Sequence, residues 1–278
     1  MIRRFLLGLS VGAILVAVSC KKDDEDSTTP PRDYTEVADE NDADIIAFMQ
    51  THFYNYEDFQ NPSSDFDYEV TIDTISGNNS GKTPLIDQAQ TIDLHVFDAN
   101  SNRILHKLYY IPVQEGSGKQ SSVADSVFVA YKGMLLNGTV FDSNDWMTSS
   151  NWMDLLGNVR TANSGMIKGF REGIALLKDS ASDPIINSDG TFTVPDDYGM
   201  GILIFPSGLG YFNSTSANIP AYSPLVFVIK LIKTKNADHD HDGIPSINEI
   251  EHDEYGVVTY TDCDGDGIPD YLDADPCQ

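Results

Sequence analysis

The chain has 278 residues, with 17 Lys plus Arg against 43 Asp plus Glu, a formal net charge of −26. That balance excludes nucleic acid as a partner, since a polyanion is repelled, and excludes docking on anionic lipid through a basic patch. Hydrophobic residues at 41% and aromatics at 10% supply a core, so a wholly disordered chain is excluded, and three cysteines are too few for a disulfide-dense scaffold.

Arg3 and Arg4 precede an apolar run from Phe5 to Val18. It is too short to span a bilayer comfortably and suits an export signal over residues 1–19. Val16-Ala17-Val18-Ser19-Cys20 resembles the lipobox of bacterial lipoproteins. The resemblance implies lipidation of Cys20, attachment to a membrane through that lipid, and an outer-membrane lipoprotein of a Gram-negative bacterium facing the periplasm or the cell surface. Plain secretion with cleavage near Ser19 is the alternative. Residues 20–33 then form an acylated tether. Within it, Lys21-Lys22-Asp23-Asp24-Glu25-Asp26 resembles a surface-export signal, or is simply a solvated linker. With Cys20 assigned to lipid, Cys263 and Cys277 remain, and an exported protein can oxidise them to a disulfide. Closing a loop of roughly 15 residues is worth about 3 kcal/mol in the chain-entropy model.

Residues 34–119 read as a small α+β extension that packs on the next domain. Ile45, Phe48, Met49, Phe53 and Tyr56 recur at helical spacing behind the acidic start Asp39-Glu40-Asn41-Asp42, which suits a helix N-terminus. Tyr68, Val70, Ile72 and Thr74 alternate as a strand, as do Ile92, Leu94 and Val96, and Leu108-Tyr109-Tyr110-Ile111 follows. No chemical motif stands out here.

Residues 120–235 carry the main signal. Val127, Val129 and Tyr131 share one strand face, Gly133 and a turn at Asn137-Gly138 follow, then Val140-Phe141-Asp142-Ser143. Gly165 to Lys178 predicts a short helix with Ile167, Phe170, Ile174 and Leu177 on one face. Asp179 to Asp197 is polar and turn-rich, a surface excursion. Ile202 to Tyr211 is a strand entering a Gly-rich loop, and Ile219-Pro220 leads to a last strand from Leu225 to Ile232.

In this order, the strand ending at Tyr131, Phe141-Asp142, the block MIKGFREG, the Pro-Ser-x-Leu-x-Tyr loop at Tyr211 and the Ile219-Pro220 turn resemble the FKBP-type peptidyl-prolyl cis–trans isomerases. The resemblance implies fold class α+β: a twisted antiparallel sheet wrapped around one short helix, and a two-layer arrangement of this kind is expected to leave the sheet's other face solvated. It also implies rotation about X-Pro bonds of proline-containing polypeptides, with no cofactor for catalysis. By motif position, Tyr131, Phe141, Ile167, Phe170 and Phe227 would line the proline pocket and Ile219 would close one side. Tyr211 would donate its hydroxyl to the substrate carbonyl, Asp142 would orient the peptide, and the Ile167 N–H would meet a second carbonyl. Trp152 is a further candidate wall. Three positions depart from the family pattern: Phe170 stands where Trp is frequent, Gly165 where Glu is, and Phe212 where Gly is. These departures leave open a non-catalytic surface module that grips proline segments.

Residues 236–278 form an irregular acidic tail, with thirteen Asp or Glu and no Lys or Arg from Asp238 onward. Asp238-x-Asp240-x-Asp242-Gly243 with Glu249 follows the spacing of a calcium loop. Asp262-x-Asp264-x-Asp266-Gly267 with Asp270 and Asp273 repeats it 24 residues later. The carboxylates and the Ile244 and Ile268 carbonyls are the candidate ligands of structural Ca2+. Pro245 and Pro269 exclude EF-hand helices at those points, and the tail resembles thrombospondin type 3 repeats. A zinc site through His239, His241 and His252 is disfavoured, because His239 and His241 occupy positions that alternate with the loop's oxygens.

Overall fold

The computed structural model describes residues 30–145, 151–161, 165–216 and 218–277. The signal over residues 1–19, lipidation at Cys20 and the first part of the tether lie outside the described residues. Among those described, no helix is long and apolar enough to cross a membrane. Arg32–Gln278 forms one unit.

Helix α1 spans Tyr34–Thr51. It begins ahead of the acidic run at Asp39, because the Asp33 carboxylate accepts the N–H groups of Thr35 and Glu36, each at 2.9 Å. Phe53 and Tyr56 are not its last turns. The chain becomes extended at His52, and strand β1 (His52–Tyr54) pairs with β2 (Ile72–Thr74), while Tyr56 opens helix α2 (Tyr56–Gln60). Backbone pairing overrides the side-chain period there. The expected strand from Tyr68 is correspondingly shorter, since Tyr68 turns out of the extended region with φ of 55°.

A hairpin of β3 (Gln90–Phe97) and β4 (Arg103–Gln114) follows, then β5 (Ser126–Leu135), β6 (Val140–Asn144) and β7 (Trp152–Asp154). Helix α3 (Lys168–Ile174) precedes the small hairpin β8 (Ile185–Ile186) and β9 (Phe192–Thr193), then β10 (Gly199–Phe205) and β11 (Leu225–Lys235). The main sheet is antiparallel, in the order β3-β4-β10-β11-β5-β6, with β7 also pairing on β5. Residues 34–119 therefore contribute two strands to the sheet that carries residues 120–235.

The sheet is buried on both faces, not on one. Along β10, Leu203 and Phe205 join the core that includes Phe170 and Ile174 of α3. The alternate residues Ile202 and Ile204 join a second core with Ile45, Phe48 and Met49 of α1. This explains why β10 is buried at every position and lacks polar alternation. Each fully buried Leu, Ile or Phe contributes about 1.5–3 kcal/mol.

Helix α3 is half the length its sequence suggests. Gly165 at φ of 71° precedes it, and after Ile174 the chain tightens, with the Leu177 N–H donating to the Ile174 carbonyl at 2.9 Å. The added stretch after it is a surface hairpin whose first residues are buried. Asp179 is buried, and its carboxylate accepts the N–H groups of Lys119 at 2.7 Å and Thr234 at 2.9 Å.

The tail folds back on the domain. Its two acidic loops flank the hairpin β12 (Ile250–His252) and β13 (Val258–Tyr260). Ile250 and the fully buried Tyr271 pack with Val123, Ala124 and Leu156. Cys263 and Cys277 are joined by a disulfide.

Candidate active site

Strand register assembles an aromatic hollow at one end of the sheet. Phe227 of β11 stands opposite Gly133 of β5, and Gly133 stands opposite Asp142 of β6. A Cβ on Gly133 would meet Phe141 Cε2 at 2.5 Å and Phe227 Cε1 at 3.0 Å, so the missing side chain is what lets those rings meet. Phe227 is the hub. Its centroid lies 5.2 Å from Phe170, 5.5 Å from Phe141 and 6.1 Å from Tyr131, while Phe205 stacks beneath it at 5.7 Å. Tyr131 also meets Phe170 edge-on at 5.6 Å. Such edge-to-face pairs add about 0.5–1.5 kcal/mol each beyond burial.

The hollow measures about 340 Å3 and is lined by Tyr131, Phe141, Asp142, Met153, Gly165, Met166, Ile167, Phe170, Tyr211 and Phe227. Seven of the eight expected residues thus converge. Ile219 does not. It is buried in the same cluster as Phe170 and Phe227, beside Leu209 and Leu225, but is not among the residues that line the opening, and its backbone bridges to Ser216. Trp152 also lies elsewhere, packed on Phe128 and capped by the Lys235 ammonium at 4.1 Å. Strand alternation explains this, because the next residue, Met153, faces the hollow instead.

Polar groups gather at the lip. The Tyr131 hydroxyl donates to Asp142 Oδ2 at 2.6 Å. Burial, then the bond to Asp142, pushes the Tyr131 phenol far above its usual range. The half-exposed Tyr211 phenol is also raised, by burial and then by the Asp142 charge. Ile167 caps α3 with its carbonyl engaged by Phe170 and Arg171, and among the described residues no acceptor takes its N–H. Gly165 is required by geometry: a Cβ would lie 2.4 Å from the Leu156 carbonyl oxygen. Among the described residues, the lining holds no Ser, Cys, His or Lys. It offers an apolar box with hydrogen bonds at its rim, not a nucleophile paired with a base. A hollow of about 400 Å3 between the end of α1 and the β5–β6 turn has no comparable ring cluster.

The two tail loops have the same internal bonding. Asp238 accepts from His241 and Gly243, Asp240 from Asp242, and Asp242 from Ile244. Asp262, Asp264 and Asp266 accept from Gly265, Gly267, Asp266 and Ile268 in the same pattern. Each triplet can place one carboxylate oxygen per residue within 4.8 Å of the others. In the first loop Asp240 Oδ2 and both Glu249 carboxylate oxygens are buried without a hydrogen-bond partner. Burial, then Asp240, Asp242 and Asp238, pushes the Glu249 carboxyl up to about 7. Buried acceptors without donors, all of one sign, fit a hard divalent cation. In the second loop Asp270 accepts the Cys263 N–H and Asp273 accepts the Asp275 N–H. His239 turns away from the acidic cluster, to Ser246 at 2.7 Å and Asp154 at 3.2 Å.

Residues 118–232 match the family of FKBP-type peptidyl-prolyl cis-trans isomerases. A probable FKBP-type peptidyl-prolyl cis-trans isomerase FkpA of Neisseria meningitidis is 29% identical over 165 residues, 52% of this chain and 51% of that protein. FK506-binding protein 1 of Dictyostelium discoideum is 29% identical over 123 residues, 44% of this chain and 94% of its own length. Among solved structures, FkpA from Escherichia coli is similar with a TM-score of 0.34 at 25% identity, over 51% of each chain. The chain spans about half the length of the Neisseria protein it matches.

Proposed function

Residues 118–232 being an FKBP-type domain, we propose that the protein is a peptidyl-prolyl cis–trans isomerase acting on proline-containing polypeptides. The convergence of Tyr131, Phe141, Phe170, Tyr211 and Phe227 on one hollow carries this reading. The two X-Pro isomers differ by only about 1 kcal/mol, but about 20 kcal/mol of amide resonance separates them. The proline ring enters the aromatic box and the carbonyl before it reaches the rim. As the amide twists, its dipole shrinks, and an apolar surround favours that form over the planar one. Tyr211 donates its hydroxyl to the twisting carbonyl, and the Ile167 N–H holds a second one. Asp142, fixed by Tyr131, orients the peptide. Bonds that fit only the twisted geometry lower the barrier, about 1.4 kcal/mol for each tenfold in rate.

The remaining assignments belong to the same proposal. The protein is exported and anchored by lipid on Cys20, in the outer membrane, and assists folding in the cell envelope. The tail is a calcium-stiffened element. Asp238, Asp240, Asp242, the Ile244 carbonyl and Glu249 would hold one ion, and Asp262, Asp264, Asp266, the Ile268 carbonyl, Asp270 and Asp273 a second. Calcium supplies structural charge neutralisation and takes no part in isomerisation.

A proline-peptide isomerisation assay tests the activity. Acceleration over buffer is expected, lowered in Tyr211→Phe and in Asp142→Ala while the fold is kept. A rate equal to buffer, with proline peptide still bound, would identify the domain as a non-catalytic binding module. Phe170 motivates that second reading, because it gives the pocket floor no N–H donor. Labelling with palmitate should vanish in Cys20→Ser.

A further inference from the structure

The loop that carries Tyr211 is tied to helix α1 at three points. Asn41, buried on α1, accepts the Ser207 N–H on its Oδ1 at 2.8 Å and donates from Nδ2 to the Tyr222 carbonyl at 3.1 Å. Ser207 and Tyr222 lie on either side of Tyr211 in the chain, so one side chain ties both ends of the loop. Tyr34, the first residue of α1, stacks on Phe212 at 3.8 Å with 23° between the rings. Phe212 is the direct neighbour of Tyr211 and sits at φ of 47°, with its N–H on the Ser207 carbonyl and its carbonyl accepting from Tyr222. Arg32 donates its N–H to the Tyr222 hydroxyl at 3.1 Å.

The helix is itself fixed to the sheet. Asp42 accepts the Tyr109 hydroxyl at 2.6 Å and the Lys107 ammonium at 2.8 Å, both from β4. A rigid path therefore runs from β4 through α1 to the backbone on either side of Tyr211. Phe212 also acquires a purpose. A Gly there would suit the positive φ better, but only an aromatic ring can stack on Tyr34.

We infer that α1 is a positioning element of the prolyl site, with Tyr34 and Asn41 setting the place of the Tyr211 hydroxyl through Phe212, Ser207 and Tyr222. This rests on the isomerase reading above. Neither residue touches substrate. Their effect falls on the step in which Tyr211 meets the twisted carbonyl, so it belongs to kcat more than to KM.

The test is a double-mutant cycle on the full chain. Tyr34→Ala is expected to lower kcat roughly 10- to 100-fold with little change in KM, and Tyr34→Phe, which keeps the stack, to restore the wild-type rate. Tyr34→Ala combined with Tyr211→Phe should lose no more than Tyr211→Phe alone, because both act on one hydroxyl. Amide exchange should rise at Ser207–Ser214 and stay unchanged at α3. Additive losses, or a Tyr34→Ala enzyme within about twofold of wild type, would overturn the inference. If wild type itself proves inactive, the isomerase reading fails separately, and the exchange measurement still decides: unchanged protection at Ser207–Ser214 in Tyr34→Ala rejects α1 as the element that positions the loop.

Discussion

The Tyr271 hydroxyl accepts the Val159 N–H at 3.1 Å, from a ring that is fully buried beside Leu156. Tyr271 lies inside the second acidic loop, and Val159 lies in the connection between β7 and α3, so tail and domain share one core. Tyr271→Phe keeps the ring and strands a backbone N–H. A loss of about 1–3 kcal/mol is expected in urea unfolding, with a single transition for tail and domain.

Calcium should raise the melting temperature and a chelator should lower it. At one hundred times the dissociation constant a single site adds about 2.7 kcal/mol. Glu249→Gln and Asp240→Asn remove carboxylate charge from the first loop and should reduce the shift without abolishing it, because the second loop is intact. Calorimetry with the full chain should count two sites in wild type and one in the variants. A melting curve indifferent to both calcium and chelator would reject the structural ions.

Gly133→Ala tests the hub of the hollow. The new methyl enters the space where Phe141 and Phe227 approach, and overpacking of this kind costs about 1–3 kcal/mol. Isomerisation should fall further than stability alone explains, because the displaced rings form the proline wall. The measurement is the rate under conditions where circular dichroism shows the variant folded.

His106 gives the protein an acid-sensitive core. It is buried in β4 against the turn at Gly208, and neither ring nitrogen has a hydrogen-bond partner among the described residues. Burial, then Lys168 and His95, pushes it down from 6.5 to about 4. The unfolded chain therefore takes up this proton first. The stabilisation is complete above pH 6.5 and is lost as pH falls toward 4, by on the order of 3 kcal/mol. In His106→Leu the slope of unfolding free energy between those values should flatten. A slope unchanged from wild type would sink the assignment.

Much of the hollow is legible only through the family resemblance, which assigns its residues by motif position. Tyr131, Phe141, Phe170 and Phe227 follow from ordered motifs, and Gly133 fixes how two of them meet. Met153 was not legible: its strand has three residues, too few for a pattern, and the neighbouring Trp152 is the more conspicuous side chain. Ile219 is buried in the core and does not line the opening, and a motif position alone does not distinguish the two. The expected solvated sheet face is instead covered, because Ile45, Phe48 and Met49 lie far upstream, and nothing local in β10 names its partner. The Asn41–Ser207 bond spans 166 positions, a distance over which one sequence carries no signal.

The strand order also dictates a timetable. The β3–β4 and β5–β6 pairs are each formed by near neighbours in the chain, but only β10 and β11 join one pair to the other. As the polypeptide leaves the ribosome, the β4 edge waits for β10 and the β5 edge waits for β11, the last strand of the domain. Contacts of such long sequence separation close slowly. Closure of the sheet is thus a late event, and an interrupted chain ending before Leu225 has β3-β4-β10 and β5-β6 with no strand to join them.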